Sequence, residues 1–286
     1  MKLAKLTRYI FIFIVVISIS IMLLMTSIIT NEPRILTDFK SLSFDSQCIK
    51  NIEKTSQYLD DHGALSVSTW NIYKQKRQGW DKLLTSLNQA SQLVLLQEVG
   101  LSPELRLNIQ DFGGRVSMAK AFTLWNTSYG VMNLSRTEAN SACAYTETEP
   151  FIRFAKSAIV AYYSLSNSEE LLVVNLHGTN FEWDLTHYYH QFEPIALALS
   201  KHQGPIIFAG DFNTWRAKRL NFVTALTSRY NLSEINYRID ERKRVFGFPL
   251  DHIFYRGLTL IEANSLATDS SDHNPITARF MINLSH

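Results

Sequence analysis

Short apolar, β-branched runs recur along this chain with turn residues between them, and many stop at a polar side chain. They are Leu65–Trp70, Leu93–Gln97, Tyr129–Leu134, Ser157–Tyr163, Leu171–Leu176, Pro205–Ala209, His252–Phe254 and Ile276–Met281. Runs of this length and composition predict strands. Between them, Trp80–Ser91, Asp184–His202 and Ala217–Tyr230 return apolar residues at three- and four-residue spacing, which predicts amphipathic helices. The alternation points to an α/β fold with sheets packed between helices, and residues 63–286 have the size of one domain. Residues 31–62 are polar and read as a tether with an entry helix over Gln47–Asp61.

The amino terminus is different. Tyr9–Ile29, YIFIFIVVISISIMLLMTSII, holds no charge, and at helical rise it covers roughly 30 Å, the thickness of a bilayer core. Lys2, Lys5 and Arg8 precede it and Asn31, Glu32 and Pro33 follow. The positive-inside rule then keeps the first residues in the cytoplasm and carries the rest across the inner or plasma membrane. With no A-x-A-like cleavage site, residues 1–30 are expected to be an uncleaved transmembrane helix and residues 9–29 the contact with the membrane.

Composition narrows the partners. The 28 Lys and Arg against 26 Asp and Glu leave the part after the apolar run close to neutral, without the basic excess of proteins that grip long nucleic acid. Basic clusters at Lys74/Lys76/Arg77, Arg216/Lys218/Arg219 and Arg242/Lys243/Arg244 would matter if they converged on one face; solvated surface is the commoner outcome. Cys48 and Cys143 allow one disulfide at most and lack the spacing of a zinc site. No protein partner is implied.

The chemistry sits where the apolar runs stop: Asn71 in STWNIYK, Glu98 in LVLLQEV, His177 and Asn180 in VVNLHGTNF, Asp211 and Asn213 in IIFAGDFNTW, Asp251 in FPLDHIF, and Asp272 with His273 in SSDHNPI. Strands hold such side chains rigidly while the following loops shape a pocket. Carboxylates and amides are hard oxygen donors, suited to Mg²⁺ or Mn²⁺ rather than zinc.

WN(I), (L)LQE, GDFN, LD(HI) and SDHNP, in this order from Trp70 to Pro275, resemble the endonuclease/exonuclease/phosphatase superfamily, the group that includes DNase I. More narrowly, WNIYKQKR, EPFIRFAKSA and FPLDHIFYRGL resemble an uncharacterised bacterial branch of it. The resemblance implies a two-sheet sandwich flanked by helices, four layers in all, and metal-dependent hydrolysis of a phosphodiester in nucleic acid or a phospholipid headgroup. It implies Glu98 as metal ligand with Asn71 and Asp272 beside it, and His273 as general base oriented by Asp251. Asp211 and Asn213 would position water and phosphate, and His177 would donate to a phosphoryl oxygen. Asn180 is a candidate substrate contact. Two departures stand out: Leu176 precedes His177 where many members carry Thr, and Leu101–Ser128 matches no particular member.

His187 and His190 lack a third ligand and read as surface residues, and His252, inside an apolar strand, reads as a packed core histidine. Asn133, also in a strand, makes its Asn-Leu-Ser sequon a chance match. A non-catalytic scaffold of the same fold and a phosphomonoesterase acting on a small ligand are the competing functions.

Overall fold

A computed structural model of the chain describes residues 2–29, 32–36, 43–44, 46–51, 57–110, 115–150 and 152–283. Two sheets form the centre. The first runs in spatial order Ile28–Ile29, Arg115–Leu124, Thr127–Ser135, Leu93–Gly100, Ala64–Asn71, Ile276–Ile282, Leu258–Ser265 and Ile239–Asp240, with Arg34–Leu36 also on Arg115–Leu124. The second runs Ser233–Glu234, Asp251–Arg256, Ile206–Asp211, Glu170–His177, Ala155–Ser164, Ser141–Thr148 and Cys48–Lys50.

The two-residue period of the strands explains the layers. Leu65, Val67, Leu93 and Leu95 face Leu171, Val173, Ile207 and Ile253 across the gap between the sheets. Their neighbours Val94 and Leu96 point outward onto Leu84 and Leu87 of the helix Trp80–Ala90. On the other side, Leu172, Val174 and Phe208 pack on Phe192 and Ile195 of Thr186–Lys201 and on Val223 of Ala217–Arg229. The result is the expected helix, sheet, sheet, helix sandwich.

One polar patch interrupts the apolar gap. Gln97 donates to Asn175 at 2.8 Å, and Asn175 donates to Asn133 at 2.9 Å and to the carbonyls of Leu96 and Met132. All three amides are fully buried. Burial of Asn133 bears out the reading of its sequon as chance.

The transmembrane expectation is overturned. Lys2–Ser27 is helical, but among the described residues no helix is long and apolar enough to cross a membrane. The apolar run also leaves the helix, since Ile28 and Ile29 pair with Leu124 and Thr123 at the sheet edge. The single-pass placement, with residues 9–29 in the membrane and the rest beyond it, falls with the span.

The helix expected over Gln47–Asp61 gives way, where described, to a strand at Cys48–Lys50; residues 52–56 lie outside the described residues. Cys48 lies opposite Cys143 in register and the two form a disulfide, which staples this strand to the edge of the second sheet.

Candidate active site

The first and last sequence motifs are tied together through the backbone. Trp70 donates its indole N–H to the carbonyl of His273 at 3.0 Å, Ser271 donates to the carbonyl of Asn71 at 2.7 Å, and Arg77 holds the carbonyl of Ser271. Residues some two hundred positions apart thus share one corner of the molecule.

Three irregularities aim the functional side chains. The register of Leu93–Gly100 slips between Leu96 and Val99, and Glu98 takes φ +53°. A bulge of this kind turns a side chain out of the alternating pattern, here toward the site. Tyr73, Lys74 and Gln75 then take φ +51°, +55° and +55° in succession, a left-handed turn costly for side chains with a Cβ. Gln75 pins that turn by bonding both the carbonyl and the N–H of Gly100. In GDFN, Gly210 has φ +138°, and a Cβ there would lie 2.0 Å from the Leu176 carbonyl. Only glycine lets the strand carrying Asp211 lie this close to the strand carrying His177.

One half of the site is a carboxylate and imidazole array. His273 Nδ1 lies 2.7 Å from Asp251, and its Nε2 faces Asp211 at 3.8 Å. Asp211 accepts from the Asn71 amide at 3.0 Å and from the backbone N–H of Asn213 at 2.9 Å. Burial alone would lower the His273 pKa, but the charges of Asp251 and Asp211 outweigh it and push the value up to about 10. Asp211 is raised to about 6, chiefly by burial.

The other half is cationic. Lys74 bonds Glu98 directly, and Lys156 lies 4.0 Å from the same carboxylate, 3.9 Å from buried Glu149 and 3.0 Å from His177 Nε2. Burial would raise the Glu98 pKa, yet Lys156, Lys74 and, at the acid pH where its ring is protonated, His177 hold it down at about 2. His177 is held well below its ordinary value, by burial first and then by Lys156, so it is neutral and its Nε2 accepts from Lys156.

Both halves open on one cavity of about 550 Å³, lined also by Asn180, Asn213 and Asp272. Asn213 and Asn180 are partly spent on structure. The Asn213 amide donates to the Gly178 carbonyl, and the Asn180 carbonyl oxygen accepts from the Trp215 indole. Each candidate site residue from the sequence thus lines this cavity or, as with Asn71 and Asp251, bonds a residue that does.

Reasoning from sequence missed Lys156 and Glu149 as site residues and left Lys74 in a surface cluster. The signal for Lys74 is its place three residues after Asn71; Glu149 and Lys156 both stand in EPFIRFAKSA, which carried the resemblance without marking either as a site residue. The remaining basic clusters do not form a free face. Arg219 is fully buried and donates to the carbonyls of Thr179 and Asn213, Arg216 holds the carbonyls of Glu182 and Trp183, and Arg242 and Arg244 pair with Asp240. His252 is fully buried between Glu234 and Thr214, as a core histidine should be, and His187 pairs with Glu147 away from the site.

The donor chemistry fits a hard divalent cation. Asp211, Asp251 and His273 bring ligand atoms within 4.8 Å of one another. Asp251 and His273, however, already spend their facing atoms on each other in a hydrogen bond. Glu98, held ionised, likewise spends a carboxylate oxygen on Lys74, with Lys156 4.0 Å away.

Residues 68–273 match the Endonuclease/Exonuclease/phosphatase family. The chain is similar to a UPF0294 protein of Vibrio vulnificus (strain CMCP6), with 40% identity over 248 residues, 86% of this chain and 87% of that protein. In three dimensions it is similar to an endonuclease/exonuclease/phosphatase family protein from Leptotrichia buccalis C-1013-b, with TM-score 0.60 and 14% identity over 76% of this chain and 100% of that one. It is similar to the same degree, TM-score 0.60, to ANGEL2, a 2',3'-cyclic phosphatase, with 15% identity over 76% of this chain and 95% of that one. At such identities the structural matches speak for the fold alone.

Proposed function

Since the chain belongs to the endonuclease/exonuclease/phosphatase family, we propose that it is a divalent-metal-dependent phosphoesterase acting on a phosphodiester. The observation that carries the reading is the opposition, across one cavity, of an imidazole backed by a carboxylate and a cluster of cations around an ionised glutamate.

In this reading His273 Nε2, in the neutral ring that the metal-free protein reaches only as pH rises through about 10, takes the proton of the attacking water, while Asp251 fixes the ring by accepting from Nδ1. Asp211, held by Asn71 and by the Asn213 N–H, orients that water, and Asn213 and Asn180 contact the phosphate. Lys156, on neutral His177, and Lys74 carry positive charge to the non-bridging oxygens, where negative charge builds in the transition state. Glu98, with Asn71 and Asp272, would hold Mg²⁺ or Mn²⁺, which when bound supplies charge neutralisation at the phosphoryl oxygens and leaving group.

The test is turnover of bis(p-nitrophenyl) phosphate and p-nitrophenyl phosphate by the full chain with Mg²⁺, with Mn²⁺ and with EDTA. Metal-dependent release from the diester is the expected result. Release only from the monoester would make the protein a phosphomonoesterase, and release from neither would favour the scaffold reading.

A further inference from the structure

The cavity has a second wall that the proposed chemistry does not use. Phe122, Leu124 and Trp125 at the end of one strand, Tyr129 on the strand that returns from it, and Ile152 and Phe154 on the loop between Ser141–Thr148 and Ala155–Ser164 line one side of the same cavity that holds Glu98, His177 and His273. Phe122 packs on Tyr129 with ring centroids 5.1 Å apart and on Phe154 at 4.7 Å, so the inner part of the wall is fixed. Its outer part is open: Trp125 is 75% exposed and Ile152 40%. An apolar surface continuous with a reaction centre marks where the non-reacting part of a substrate lies.

Resting on the phosphoesterase reading, we propose that this wall binds a hydrocarbon chain, so that the substrate is an amphiphilic phosphoester with its phosphate among Lys74, Lys156 and Glu98 and its chain running outward from Phe122 to Trp125. Three observations favour a chain over a nucleobase. Among the described residues of this wall the polar side-chain groups are the Tyr129 hydroxyl and the Trp125 indole N–H, too few to read a base edge. Aliphatic Leu124 and Ile152 interrupt the rings, leaving no continuous stacking platform. The arginines that would track a polynucleotide backbone, Arg216, Arg219, Arg242 and Arg244, are instead bonded within the protein. From Phe122 to Leu124 the wall extends about 7 Å at strand rise, and Trp125 continues it at the turn that follows. Lys74, Lys76 and Lys156 at the inner end complement the anionic head.

The experiment is calorimetric titration of the full chain, with Mg²⁺, by methyl-, butyl- and octylphosphonate, run beside turnover of the matching p-nitrophenyl alkyl phosphates. Affinity should rise about two- to fourfold for each buried methylene. Trp125→Ser and Phe154→Ala should flatten that series, whereas Leu107→Ser, an exposed change on the helix Pro103–Gln110, should leave it as in the parent. Equal affinity along the series, or tighter binding by a single-stranded oligonucleotide than by octylphosphonate, would overturn the proposal. Equal turnover of methyl and octyl esters would overturn it while sparing the hydrolase. Affinity that rises with chain length in the absence of any turnover would sink the hydrolase and leave the wall standing. Turnover of the octyl ester below its micellar concentration assigns the site to free amphiphiles. Turnover of phospholipid in phosphatidylcholine vesicles assigns it to lipid in a bilayer, and either result supports the hydrocarbon class.

Discussion

The two halves of the cavity reach their geometry by different routes. Asp211, Asp251 and His273 sit at the ends of strands or beside them, are nearly fully buried, and are locked to one another and to the backbone by hydrogen bonds. Lys74 and Lys156 reach the site on long side chains, one from a left-handed turn and the other from a strand start, and remain partly exposed. The first half is preorganised by the fold. The second is placed by charge, because Glu98 attracts both ammonium groups. A site built this way has a fixed carboxylate and imidazole side and an adjustable cationic side.

The largest effect that would sharpen this contrast is expected from Asp251→Asn, which leaves the shape but weakens control over the His273 ring. Turnover of a phosphodiester should fall about 10²–10⁴-fold, with KM little changed. A change in KM alone would show that Asp251 serves binding rather than proton transfer. On the cationic side, Lys156→Met should lower kcat by about 10²-fold, the effect of removing one preorganised donor, and Lys156→Arg should recover part of it. Full activity in the Met variant would reduce Lys156 to a structural partner of Glu149.

A smaller effect belongs to the floor beneath both halves. Asn175→Leu strands the Gln97 and Asn133 amides and should lower stability in urea by about 1–3 kcal/mol; an unchanged midpoint would mean that these amides find other partners.

The remaining effect is the pH dependence of the metal-free protein. The His273 value lies above its unfolded one, so its contribution to stability is complete below about pH 6.5 and is lost as pH rises through about 10. Glu98 lies below its unfolded value, so its contribution is present above about pH 4.5 and lost as pH falls through about 2. His273→Gln should remove the alkaline decline in the urea midpoint and leave the acid decline in place. An alkaline decline that survives the substitution would assign it to another group.

The same contrast governs what the chain discloses before it is folded. The carboxylate and imidazole half was legible because each member stands in a short motif at the end of an apolar run, and the layers were legible because strand and helix periods differ. Lys156 and Glu149 have no such frame, and Lys74 is indistinguishable from its neighbours Lys76 and Arg77 until three successive left-handed residues turn it inward. The bulge at Glu98 leaves no mark in LVLLQEV. The strands Arg115–Leu124 and Ser141–Thr148 were missed because small and polar residues interrupt their apolar runs. At the amino terminus, composition alone predicted a membrane span, and the pairing of Ile28 and Ile29 with the sheet is a tertiary contact that no window of sequence displays.

The most direct test of the account is the activity of His273→Ala. Purified full chain and variant are compared on bis(p-nitrophenyl) phosphate with saturating Mg²⁺, with folding monitored by circular dichroism. The account predicts metal-dependent turnover in the parent and a loss of at least about 10²-fold in a folded variant. Turnover that is the same in both, or that persists in EDTA, would contradict it.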